Sequence, residues 1–181
     1  MANLLTAIRL LMIVPTALTI ALVWIVPPIV PVLLIAIAIL TDYFDGKVAR
    51  QQGTASARGQ LFDHTTDFLF VTSTLSGAAY AGLLTPVLPV LIAIAFGQYV
   101  LDSYYFYHEK QLHMSVLGRW NGILYFVPVV LIACSRTAPF SAFTEFMMVA
   151  VFVIGWLLVL STALSMLDRA MAPLRFDKLQ K

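Results

Sequence analysis

The sequence predicts an all-α fold: an integral membrane bundle of six transmembrane helices, preceded by a short N-terminal interfacial helix. Three observations lead there. Hydrophobic residues make up 61% of the 181 residues and charged residues only 11%, with a mean hydropathy of +0.91. A soluble domain carries roughly 25% charged residues, and a chain this short has too little interior to hide so much apolar surface from water. The apolar residues fall into six runs, most of them close to the ~20 residues that cross a bilayer. Basic residues gather on one side of those runs. The length suits one domain, 1–181.

The six predicted spans are 10–26, ended by Pro27 and Pro28, then 29–49, 61–84, 87–107, 117–134 and 143–167. Breaks at Pro27-Pro28, Gly53, Pro86 and Pro139 separate most of them. Ahead of the first span, Asn3, Thr6 and Arg9 recur every three residues beside Leu4, Leu5 and Ile8. That spacing places the polar three near one helical face, as expected of a short helix lying at the cytoplasmic interface. Arg9 before an apolar run also resembles the start of a signal peptide. No small-x-small cleavage site follows and further apolar runs do, so the N-terminus is expected to be retained.

Six spans put both termini on one side. Arg9, Lys47, Arg50, Arg58, Lys110, Arg119, Arg169, Arg175, Lys178 and Lys181 then share that side, and of the 11 basic residues only Arg136 lies opposite. The positive-inside rule makes the shared side cytoplasmic. The net charge of +2, without a basic run, gives no reason to expect nucleic acid. The one cysteine, Cys134, excludes an intrachain disulfide and a cysteine-based metal cluster.

The chemistry is concentrated between Thr41 and Asp67. Asp42 and Asp45 are three residues apart, and Asp63 and Asp67 are four apart, so each pair shares a helix face. The connection between their helices is short. They are therefore expected to be antiparallel neighbours, with the four carboxylates converging near the cytoplasmic ends. Each ionised aspartate within a span costs about 2.5–3.5 kcal/mol on insertion scales, and Arg50 and Arg58 cannot offset four charges. Hard divalent cations can. Oxygen ligands favour Mg²⁺ or Mn²⁺, and carboxylates from two helices suit two ions that clamp both oxygens of a phosphoryl displacement. Gly46, Ala49 and Gly59 leave room for close approach, or else serve tight helix packing. Arg50 offers a planar fork to phosphate oxygens.

The spacing Asp42-x-x-Asp45-Gly46-x-x-Ala49-Arg50, eight residues, Gly59-x-x-x-Asp63-x-x-x-Asp67 resembles the signature of the CDP-alcohol phosphatidyltransferases, with every fixed position matched. These enzymes join a CDP-linked lipid to an alcohol and release CMP. The resemblance implies that Asp42, Asp45, Asp63 and Asp67 hold two metal ions. It implies that Asp67 is also the base taking the acceptor's proton, and that Gly46, Ala49, Arg50 and Gly59 bind the CDP part. It further implies a homodimer among membrane lipids, with lipid tails entering sideways from the bilayer. A multi-pass protein of a bacterial inner membrane is expected, its site and both termini cytoplasmic.

Asn3-Leu4-Leu5-Thr6-x-x-Arg9 with Pro15, and Leu117-Gly118-Arg119-Trp120-Asn121, are similar to stretches of the phosphatidylglycerophosphate and cardiolipin synthases. Asp45-Gly46-Lys47 and Leu61-Phe62-Asp63-His64 look instead like the choline and ethanolamine phosphotransferases. Glycerol 3-phosphate is the expected acceptor, with Lys110, Arg119, His108 and His113 as candidate partners for its phosphate. His64 follows a ligand aspartate by one residue, which turns it about 100° away; an interfacial place is expected, with proton transfer as the rival reading. Asp102 in the fourth span has either a basic partner or a local hydrogen bond. A different class, an ion or metal transporter, would need polar residues through the depth of several spans, whereas these carboxylates gather at one end.

Overall fold

The structure, a computed structural model, describes residues 2–51, 57–105 and 116–179, with side-chain surroundings described for 5–44, 59, 61–101 and 117–171. Its described residues are all helical or in turns. In order they form α1 (Ala2–Ala21), α2 (Ile29–Gln51), α3 (Ala57–Tyr80), α4 (Val87–Tyr105), α5 (Val116–Leu124), α6 (Phe126–Ser135), a 3₁₀ turn (Ala138–Phe143) and α7 (Thr144–Leu179). The expected segments recur as helices, the fifth of them broken into α5 and α6. The break has a local cause. Pro128 lacks an N–H and crowds the carbonyl four residues back, at Leu124. The chain turns at Tyr125, whose N–H still bonds the Asn121 carbonyl at 2.9 Å.

Two stretches are long and apolar enough to cross a membrane, Leu117–Ser135 and Ala138–Met171; Leu5–Ala21, Ile29–Phe44 and Val87–Leu101 are shorter apolar helices. Large apolar side chains such as Leu11, Trp24, Ile25, Phe146 and Leu157 are exposed on α7 and on or just beyond α1. Apolar surface this extensive marks a protein that associates with a membrane. Several interior threonines bond within their own helices. Thr66, Thr74 and Thr162 each donate a hydroxyl to the carbonyl four residues back, at 2.6–2.8 Å, which satisfies them without water.

The first helix corrects two expectations. It is one continuous helix, not a short interfacial segment followed by a span. Its buried face reads Thr6, Arg9, Ile13, Thr16, Ile20, a run of three- and four-residue steps that is one side of a helix. The polar face expected to lie among headgroups is turned inward. Further, α2 and α3 are not packed on each other among the described residues. Instead α1 lies between them and packs extensively on both. A short connection fixes only the adjoining helix ends, and the small residues of α1 and α3 favour a third helix in the gap. A Cβ added to Gly77 of α3 would stand 2.4 Å from the Ala17 carbonyl oxygen.

The remaining helices close around this trio. α7 packs on α4, α5 and α6, while α6 reaches α2 and α3 and α4 reaches α3. The core lies where they meet, around Phe70, Leu75, Leu88, Ile132 and Val151. α3 ends in a tight cap: Leu83 N–H bonds the Ala78 carbonyl, Gly82 N–H bonds that of Ala79, and Gly82 takes a φ of 74°. Glycine reaches that left-handed region without a Cβ penalty.

Candidate functional site

Three expected site residues come together around a residue the sequence reading placed elsewhere. Arg9 of α1 is fully buried. One guanidinium nitrogen, Nη2, lies 3.0 Å from Asp42 Oδ1 on α2. The other, Nη1, donates to Asp63 Oδ1 at 3.1 Å and to Asp67 Oδ1, both on α3. Its Nε has no hydrogen-bond partner among the described residues. The carboxylate side chains keep 49%, 31% and 26% of their surface exposed, against 1% for Arg9. The cation therefore sits behind the carboxylates, which face outward in front of it.

His64 is better placed than its position next to Asp63 suggested. Its ring, Asp63 and Asp67 each offer a ligand atom, and these atoms lie within 4.8 Å of one another. The relevant spacing is His64 to Asp67, three residues apart and thus neighbours on the helix surface. A long side chain covers the rest of the angle. The donor set fits a divalent cation, since it is clustered, partly open and dominated by carboxylates. Gly59 is partly buried on the first turn of α3. Asp45, Gly46, Ala49 and Arg50 belong to the last part of α2, and Asp102 to α4; their side chains lie outside the described residues, as do His108, Lys110 and His113 altogether.

A cavity of about 470 Å³ opens in front of the carboxylates. Arg9, Asp42, His64 and Asp67 line its charged end. Ile39, Phe68, Val71, Ile92, Phe96 and Phe126 give it apolar walls, with Phe68 and Phe96 stacked at 3.9 Å between centroids. Arg119 of α5 and Arg169 of α7 also line it. Arg169 lies over the Tyr99 ring, 4.7 Å from its centroid, a cation–π contact. From the sequence alone, Arg169 marks only sidedness. Asn121, another lining residue, is buried, and its Oδ1 accepts from Ser161 Oγ at 2.6 Å. Its Nδ2 has no hydrogen-bond partner among the described residues. Nearby, the Tyr125 hydroxyl bonds Thr162 Oγ1 at 2.7 Å. Spacing within α7 carried a signal for these groups: Leu158, Thr162, Ser165 and Arg169 recur at steps of three and four.

The cavity thus combines charged and apolar lining in a protein with extensive exposed apolar surface. The family match is specific. The CDP-alcohol phosphatidyltransferase profile covers residues 1–167, and the chain belongs to that family. Its members are metal-dependent phosphotransferases that use CDP-alcohol and alcohol substrates in membranes, work of phospholipid biosynthesis. Among curated proteins none matches the sequence.

Proposed function

We propose that this protein transfers the phosphatidyl group of CDP-diacylglycerol to glycerol 3-phosphate and releases CMP. The observation that carries the proposal is the single cavity lined by Asp42 and Asp67 of the carboxylate cluster, by apolar walls, and by Arg119 and Arg169. The walls suit the lipid part of the donor. Asp42, Asp45, Asp63 and Asp67 are assigned to two divalent ions, Mg²⁺ or Mn²⁺, with His64 close enough to share in the site. When bound, such ions neutralise a pyrophosphate and stabilise the charge that develops on its oxygens. Gly46, Ala49, Arg50 and Gly59 are assigned to the CDP moiety.

In the reaction the acceptor oxygen bonds to the lipid-side phosphorus as the bond from that phosphorus to the CMP oxygen breaks, the electron pair leaving with CMP. Asp67 accepts the proton of the acceptor hydroxyl. Arg119 and Arg169 bind the acceptor's phosphate with their planar forks. Two arginines on the cavity wall favour a phosphate-bearing acceptor such as glycerol 3-phosphate over an uncharged alcohol.

The helical segments are assigned as six membrane spans within a single domain, 1–181, in a bacterial inner membrane. Both termini and the site face the cytoplasm, as the distribution of basic residues favours. A homodimer is the expected assembly. The test is CMP release by the purified protein with CDP-diacylglycerol and a panel of acceptors. Glycerol 3-phosphate should support the fastest release, and EDTA should abolish it. Arg119→Ala should raise the acceptor KM more than that of the CDP-lipid. Full release in EDTA would overturn the two-ion assignment, and an unchanged acceptor KM would overturn the phosphate pocket.

A further inference from the structure

The position of Arg9 is unusual for a cluster that must take up metal ions. Its guanidinium contacts Asp42, Asp63 and Asp67 at once, all three of them assigned metal ligands. A positive charge this close opposes the arrival of a divalent cation, and the opposition is strongest where water is excluded. Arg9 is also fully buried. A guanidinium released from these carboxylates cannot simply be hydrated in bulk solvent, so it needs another anion nearby. Arg9 itself lines the cavity, where the described acidic lining residues are Asp42 and Asp67, members of the same cluster. Beyond these described carboxylates, a bound substrate brings negative charge there with its pyrophosphate.

We infer that Arg9 is a resident counter-cation of the carboxylate cluster, displaced from it when the pyrophosphate of the CDP-lipid enters, so that metal loading is coupled to substrate binding. The inference rests on the functional reading above and adds to it an order of events. Without lipid, the cluster is held together by Arg9 and takes up metal weakly. With lipid, Arg9 turns to the phosphate oxygens, which accept its fork of donors, and the carboxylates become available. The arrangement spares the empty site the repulsion of three bare carboxylates and keeps it from retaining an ion without substrate.

The test measures Mn²⁺ binding to the full chain in detergent by the electron paramagnetic resonance signal of free Mn²⁺. Wild type, Arg9→Gln and Arg9→Lys are compared with and without CDP-diacylglycerol, and with no acceptor present. Wild type should bind Mn²⁺ at least tenfold more tightly with the lipid. Arg9→Gln should bind lipid-free Mn²⁺ at least tenfold more tightly than wild type, about 1.4 kcal/mol, and should gain at most threefold from the lipid. Arg9→Lys keeps the charge but loses the fork, and should fall about threefold tighter than wild type. It keeps the question answerable if Arg9→Gln does not fold. Mn²⁺ binding to either variant that is no tighter than to wild type would overturn the inference, making Arg9 a fixed brace of the ligands. The two readings fail separately. Equal Mn²⁺ affinities with intact CMP release sink this inference alone, whereas absence of CMP release with every acceptor sinks the proposed reaction.

Discussion

Replacing Gly77 by alanine should damage both stability and catalysis, although the residue is remote from the cavity. The added Cβ would stand 2.4 Å from the Ala17 carbonyl oxygen and 3.3 Å from both the Ala17 carbonyl carbon and the Ala21 nitrogen. All three atoms are backbone, so no side chain can swing aside. Restoring an ordinary contact requires α1 and α3 to part by roughly 1 Å. Overpacking of this kind typically costs about 1–3 kcal/mol, and the rigidity of both partners argues for the upper end. At ~2–4 °C per kcal/mol for a chain of this size, the thermal midpoint in detergent should fall by roughly 6–12 °C. The same two helices carry Arg9, Asp63 and Asp67, so CMP release measured well below the midpoint should fall as well. Two other glycines are the controls. A Cβ at Gly155 would meet the tip of Leu84, Cδ1 at 2.8 Å, a flexible group, while one at Gly97 meets nothing within 4 Å. Gly155→Ala should cost about 1 kcal/mol or less, and Gly97→Ala should be neutral or stabilising by up to ~1 kcal/mol. A Gly77→Ala protein that melts within about 2 °C of Gly97→Ala would refute the close-approach argument.

Three further outcomes are expected. Asp67→Asn should cut turnover by about 10²–10⁴-fold while CDP-lipid binding stays within roughly tenfold, and His64→Ala should keep most of the turnover; the reverse pattern, read by stopped CMP release and lipid binding, would move the proton to the imidazole. Asn121→Ala removes a donor facing the cavity and should raise the acceptor KM by about tenfold, the worth of one hydrogen bond, leaving the CDP-lipid KM unchanged; equal changes in both would make Asn121 a packing residue. In a Cys134→Ala background, a cysteine at Gln51 should be shielded from an impermeant external thiol reagent while one at Ala138 reacts, and opposite labelling would reverse the assigned orientation.

The helices were legible in the sequence because apolar runs punctuated by proline and glycine leave little choice of element, although boundaries moved: the first helix ends at Ala21 and the last runs on to Leu179. The fifth segment was expected as one unbroken span; the break follows from Pro128 and its missing N–H. Convergence of Asp42, Asp63 and Asp67 was legible from their spacing. Their neighbour was not, because a short connection says which helix ends are close but not which third helix fills the gap. Arg9 was misplaced because three polar residues at helical spacing describe an outward face and an inward face equally well. Extending the count to Ile13, Thr16 and Ile20 joins the same residues to the core. His64 was judged by its rotation from Asp63 when its three-residue spacing to Asp67 mattered more. The cavity also draws on α4, α5 and α7, and residues that far apart in sequence carry no spacing signal that links them.

The two arginine contacts of α1 have a mechanical consequence. Near one end Arg9 grips the carboxylates of α2 and α3. Just past the other, Trp24 lies under the guanidinium of Arg136, 4.7 Å from the ring centroid. The helix is thus pinned like a bolt held at head and tip, and it cannot slide by a turn, ~5.4 Å, without releasing both. The fifteen residues from Arg9 to Trp24 would span roughly 22 Å as a helix. Arg136 and the carboxylate cluster thus hold the same rod at points well separated along its length.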